Sequence, residues 1–144
     1  IRCADQARAI SIHAVSDGDF VADYFGDGII IATPTGSTAY SLAASGPIVA
    51  PSLDVVLVTP ICPHTLGHRP LILPARRPFV ATLQTRPGHA SPRVLVSLDG
   101  QVNFPVRVGD EVRITEHRRT LRLLLHPKFT HFDILRAKLK WGGR

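Results

Sequence analysis

The stretch Gly26-Asp27-Gly28-Ile29-Ile30-Ile31-Ala32-Thr33-Pro34-Thr35-Gly36-Ser37-Thr38-Ala39-Tyr40-Ser41-Leu42-Ala43-Ala44-Ser45-Gly46-Pro47 decides how the chain is read. A Gly-Asp-Gly turn leads into apolar residues 29–32, the first three β-branched, which predicts a strand buried on both faces. A Thr/Pro/Gly/Ser cluster follows, then a run that opens with helix-capping residue types and closes in Gly-Pro. Thr35, Ser37 or Thr38 can each offer a side-chain oxygen to the free amides of a first helical turn. Gly46 is expected to stop that helix and Pro47 to prevent its continuation. Strand, polar loop and short helix aim several amides and hydroxyls in one direction, with the positive end of the helix dipole behind them. Such a loop suits a phosphate, a ribose or a base edge, and equally an ordinary strand-to-helix connection. It is not a P-loop, because no Lys follows Gly36, and the G-x-G-x-x-G fingerprint is absent.

A chain of 144 residues that is 44% hydrophobic has material for one domain with a sizeable core. Its apolar runs are far shorter than a membrane span, and no charged segment followed by an apolar core opens it. Cys3 and Cys62 make no disulfide framework, so a reducing cytoplasm is the expected compartment. A net charge of +6 attracts anions. Yet Lys and Arg stand singly or in pairs such as Arg76-Arg77 and Arg118-Arg119, and only 6% of residues are aromatic. Neither nucleic acid nor membrane is therefore expected as a partner; the basic surface draws in anionic nucleotides or keeps the chain soluble.

Residues 7–15 alternate, with Ile10 and Ile12 on one face and Ser11 and His13 on the other. Asp17-Gly18 and the extended chemistry of 20–24 complete a predicted β-hairpin, with His13 on its polar side. Further strands are predicted over 55–58, ending in a loop at 60–63, and over 71–73, 79–83 and 94–98. Proline and glycine punctuate them, as in the turn Arg86-Pro87-Gly88-His89. Residues 106–108 and 111–115 look like a second hairpin around Gly109-Asp110, and 121–125 closes the series. Residues 132–141 read as a helix, with Asp133 near its start. Many short strands with turn residues between them predict a mainly β fold, a sandwich or closed barrel, with one or two short helices.

The central stretch closely resembles the NAD-binding signature of the NAD kinases, through Gly26-Asp27-Gly28, Thr33-Pro34-Thr35-Gly36-Ser37-Thr38-Ala39-Tyr40-Ser41 and Gly46-Pro47-Ile48. Thr59-Pro60-Ile61-Cys62-Pro63-His64-Thr65-Leu66, Arg69-Pro70-Leu71, Ser97-Leu98-Asp99-Gly100-Gln101 and Leu135-Arg136-Ala137-Lys138-Leu139-Lys140-Trp141-Gly142 are similar to that family's C-terminal domain, in its usual order. The resemblance runs from about Arg8 to the end. It implies an antiparallel β-sandwich spanning residues 1–144 as a single NAD-binding and oligomer-forming domain. The α/β kinase domain that precedes it in the family is absent from this chain, which contains no methionine and reads as a C-terminal portion or an excised domain.

The implied activity is phosphorylation of the adenosine 2'-hydroxyl of NAD to give NADP, with ATP or polyphosphate as donor and Mg2+ or another divalent cation in the intact enzyme. The implied assembly is a homodimer or homotetramer. By resemblance, Thr38, Ala39, Tyr40, Ser41 and Ala43 hold the NAD with Thr35 beside them, Gln101 reaches the ligand, and Arg8 falls where a basic residue or His is often found. Asp27 contacts NAD, in a neighbouring subunit, and Asp99 lies beside the acceptor in a supporting role. No catalytic base is expected here, because the family's Gly-Gly-Asp-Gly-Thr and Asn-Glu/Asp motifs do not occur. Phe25 and Ala43 depart from residues that are frequently Arg and Ser in relatives. Tyr40 has its own case, since its ring can cover an adenine or nicotinamide; anchoring a core is the alternative. Cys62, His64 and His68 fit no standard zinc spacing, and no metal site is expected. The alternatives are a non-catalytic nucleotide-binding or assembly module, and a related diacylglycerol-type lipid kinase domain.

Overall fold

The Asp17-Gly18 pair sets the first corner of the fold, with φ of 53° and 88°, as a tight hairpin requires. It joins β2 (Ile10–Ser16) to β3 (Asp19–Gly26), the predicted hairpin with a longer second arm. A computed structural model of the chain describes residues 1–4, 9–85, 93–122, 124 and 126–141. Ala7, Arg8, the turn at 86–89 and Gly142 lie outside them.

Along β2 every second residue is buried, as its alternation predicts. His13, on the other face, stacks on Phe20 with ring centroids 5.2 Å apart and hydrogen-bonds Asp23 at 2.7 Å, the polar-side role expected of it. The remaining strands are β1 (Arg2–Cys3), β4 (Gly28–Ala32), β5 (Val55–Ile61), β6 (Leu71–Pro74), β7 (Phe79–Gln84), β8 (Val94–Leu98), β9 (Val102–Val106) and β10 (Glu111–Ile114). They form two sheets, ordered β6-β5-β4-β1-β8-β9 and β10-β7-β2-β3, and every pairing is antiparallel. Between the sheets, Ile10, Ile12, Ala14 and Tyr24 pack with Phe79, Ala81 and Leu83 against Ile29, Val58 and Val94. The mainly antiparallel sandwich is the expected class.

Five expectations are corrected. In β4 Ile29 is fully buried, whereas Ile30, Ile31 and Ala32 are half-exposed; one face of this inner strand meets the core and the other opens onto a pocket. The strand over 55–58 continues through Pro60 to Ile61, because β6 pairs only as far as Val58 and leaves that edge of β5 without a ladder to break. Residues 106–115 are no hairpin: β9 belongs to the six-stranded sheet and β10 to the four-stranded one. The turn at Arg107, whose amide donates to Asp110 Oδ2 at 2.8 Å, is a corner between sheets. Leu121, Arg122 and Leu124 form no strand, and the two leucines are exposed; Leu123 and Leu125 lie outside the described residues. The last helix, α2 (His131–Leu139), starts one residue earlier and ends sooner than expected. Thr130 and Asp133 close a reciprocal capping box at its start, and Lys140 ends it in the left-handed region.

Candidate functional site

The chain after β4 makes a 3-10 turn (Thr35–Thr38) and then α1 (Tyr40–Ala43), a single helical turn. No side chain of Thr35, Ser37 or Thr38 caps either piece, a further correction. Thr33 takes that part: its Oγ1 accepts from the amide of Gly36 at 3.3 Å. Ser37 turns inward, wholly buried, where it donates to the carbonyl of Pro34 at 2.6 Å and accepts from the amide of Val49 at 3.1 Å. Gly46 does not supply the helix stop, because Ser45 carries the positive φ of 65°. Gly46 is required for space instead, since a Cβ there would lie 2.2 Å from Ser41 Oγ and 2.7 Å from Ser41 O.

A pocket of about 670 Å3 opens beside this turn, a size usual for small-molecule sites. Its floor is Ile29, Ile30, Ile31 and Ala32 of β4, with Ile61 of β5 alongside. One wall is Thr33, Gly36, Ala39, Tyr40 and Ser41; the other is Ser97, Asp99, Gly100 and Asn103 from the β8–β9 hairpin. Ile1 and Arg2 lie between, because β1 pairs with β4 on one side and β8 on the other. That two-residue strand brings the hairpin to face the turn.

Of the residues singled out in the sequence, Ala39, Tyr40, Ser41 and Asp99 line the pocket together. Tyr40 is 57% exposed, so its ring is not a core anchor. Ser41 is 1% exposed, and its hydroxyl is bonded to Thr59 Oγ1 at 2.8 Å; it meets the pocket without a free hydroxyl. Asp99 (φ 49°) and Gly100 (φ 70°) form the hairpin turn that lifts the carboxylate to the rim. Thr35, Thr38, Ala43 and Gln101 are exposed on neighbouring turns and are not among the lining residues. Arg8 lies outside the described residues. Arg2 and Asn103 line the pocket without having been singled out, and Ser97, the first residue of the family-like run 97–101, lines it with them; strand pairing brings all three there.

Asp27 is not among the lining residues; its amide donates to Ile61 O at 3.0 Å and its carbonyl accepts from the amide of Cys3 at 2.9 Å. Its side chain is hydrogen-bonded to Cys62. That bond, then the carboxylate's charge, then a little burial push the Cys62 thiol above its ordinary pKa. His64 meets Phe25 edge-on and His68 meets Tyr24, which gives both rings packing partners.

Residues 1–125 match the ATP-NAD kinase C-terminal domain family. An NAD kinase of Geotalea daltonii is 44% identical over 96% of this chain and 47% of its own length. One from Aquifex aeolicus is 43% identical over 94% of this chain and 48% of its own length. The chain thus spans about half the length of the curated relatives it matches. Among solved structures, yeast NADH kinase complexed with NADH superposes with a TM-score of 0.79 at 28% identity, over 99% of this chain and 43% of that one. An NAD kinase from Archaeoglobus fulgidus in complex with ATP gives 0.69 at 28% identity, over 81% and 43%.

Proposed function

The chain belongs to the ATP-NAD kinase C-terminal domain family, and on that premise we propose that it is the dinucleotide-binding part of an NAD kinase. The parent enzyme transfers a phosphoryl group from ATP or polyphosphate to the adenosine 2'-hydroxyl of NAD, in the cytoplasm. The observation that carries this reading is the pocket itself. It has an apolar floor, an exposed aromatic ring on one wall and a carboxylate on the other. Tyr40 stacks on a base, Thr35, Thr38, Ala39 and Ala43 surround the dinucleotide from the same loop, and Gln101 approaches from the hairpin. Asp99 accepts a hydrogen bond from a ribose hydroxyl and so orients it.

Phosphoryl transfer also needs a proton acceptor and charge neutralisation on the phosphates. The proton acceptor comes from the part of the enzyme represented by the remaining length of the relatives. Mg2+ or another divalent cation accompanies ATP there. Among the described residues no three His, Cys, Asp or Glu side chains gather to hold a metal ion. Asp27, which does not line the pocket of its own chain, serves the ligand of a neighbouring copy in a homodimer or homotetramer.

Titration with NAD tests the reading. Binding by this chain is expected, with loss on Tyr40→Ala and no displacement by a diacylglycerol-type lipid. Displacement by lipid would favour the lipid-kinase alternative. The chain alone is expected to form no NADP, while a full-length protein carrying it does. A full-length protein that binds NAD without forming NADP would favour a non-catalytic nucleotide-binding module.

A further inference from the structure

The helix that presents Tyr40 is too short to hold itself in place. It is one turn of four residues with no capping side chain, and isolated helical turns are unstable because nucleation costs more than one hydrogen bond returns. Something outside it must fix its position. Consecutive helical residues point about 100° apart, so Tyr40 facing outward sends Ser41 inward. There Ser41 Oγ meets Thr59 Oγ1 at 2.8 Å, both residues at 1% exposure or less. Thr59 belongs to β5, the neighbour of the pocket floor. The main chain closes the same point, with the amide of Gly46 donating to Ser41 O at 2.7 Å. A Cβ on Gly46 would stand 2.9 Å from Thr59 Oγ1.

We propose that Ser41 and Thr59 are positioning residues for the dinucleotide: their buried hydroxyl pair bolts α1 to β5 and holds Tyr40 over the pocket before a ligand arrives. The assignment rests on the NAD-binding reading given above. Removing one hydroxyl leaves the other buried without a partner, which disfavours the docked arrangement. Apparent affinity then falls by the fraction of molecules in which α1 remains docked.

The chain has two tyrosines, Tyr24 at 3% exposure and Tyr40 at 57%, so ring-labelled NMR reports on core and pocket separately. In Thr59→Val the Tyr40 signals are expected to move toward those of free tyrosine while Tyr24 stays put. The NAD dissociation constant should rise about tenfold. Ser41→Ala should reproduce both effects, and Thr59→Ser, which keeps the hydroxyl, should hold the constant within about twofold. Unchanged Tyr40 signals and NAD affinity in a folded Thr59→Val protein would overturn the assignment. If that variant unfolds, as loss of the Tyr24 signals would reveal, Ser41→Ala carries the same comparison; unfolding of both would make the pair a fold determinant and also overturn it. If NAD leaves wild-type Tyr40 unmoved, the functional reading falls, while the ligand-free Tyr40 signals still decide the positioning.

Discussion

Ser37 accepts a 3.1 Å hydrogen bond from the amide of Val49, so a side chain with no solvent exposure ties the turn after β4 to the chain that leaves α1. The same hydroxyl donates to the carbonyl of Pro34 at 2.6 Å. In Ser37→Ala both backbone groups lose a buried partner, at a cost of about 1–3 kcal/mol. Urea titration should show a lower midpoint with an unchanged slope.

Helix α2 touches the rest of the fold through few side chains. Leu135 is 5% exposed, whereas Ile134 beside it is 42% exposed. Leu135→Ala is expected to destabilise α2 by about 2 kcal/mol or more, the range for core truncations. Ile134→Ala should cost within about 0.5 kcal/mol. Amide exchange along the helix, compared between the two variants, checks the contrast.

Protonation should fray α2 from its start. Thr130 hydrogen-bonds the Asp133 carboxylate through its hydroxyl and its amide, and Arg136 adds its charge, so the carboxyl sits below its ordinary pKa of 3.8. A pKa depressed on folding means the helix start is fully supported above pH 3.8 and loses that support as the pH falls through the folded value. Amide signals of Thr130 and Asp133, followed through an acid titration, should shift together below pH 3.8. In Asp133→Ala that transition should vanish.

The Cys62 thiol is exposed yet held protonated by Asp27. Since the thiolate is the nucleophile, alkylation near neutral pH should be slow for so accessible a cysteine. Asp27→Asn removes the charge, and the alkylation rate at Cys62, followed by mass spectrometry of its peptide, should rise several-fold. An unchanged rate would mean that the carboxylate does not govern this thiol.

Local chemistry alone determined much of this protein. Asp17-Gly18 dictated the first hairpin, because positive φ is cheap for those residues. The alternation of 10–16 dictated which face meets the core, and Asp133 near the last helix marked its start. The row from Thr33 to Ser41 carried the family resemblance, and its Ala39, Tyr40 and Ser41 do line the pocket.

Other features depend on neighbours distant in sequence. That 106–115 turns a corner between sheets instead of closing a hairpin follows from which strands β9 and β10 pair with. Nothing in Ser37 or Ser41 says that their hydroxyls turn inward to Val49 and Thr59; by residue type Ser37 suits a helix cap and Ser41 a ligand contact. Arg2, Ser97 and Asn103 reach the pocket only because β1 joins β4 to β8. Residue type fixes what a side chain is able to bond, while the packing of the two sheets decides which partner lies within reach.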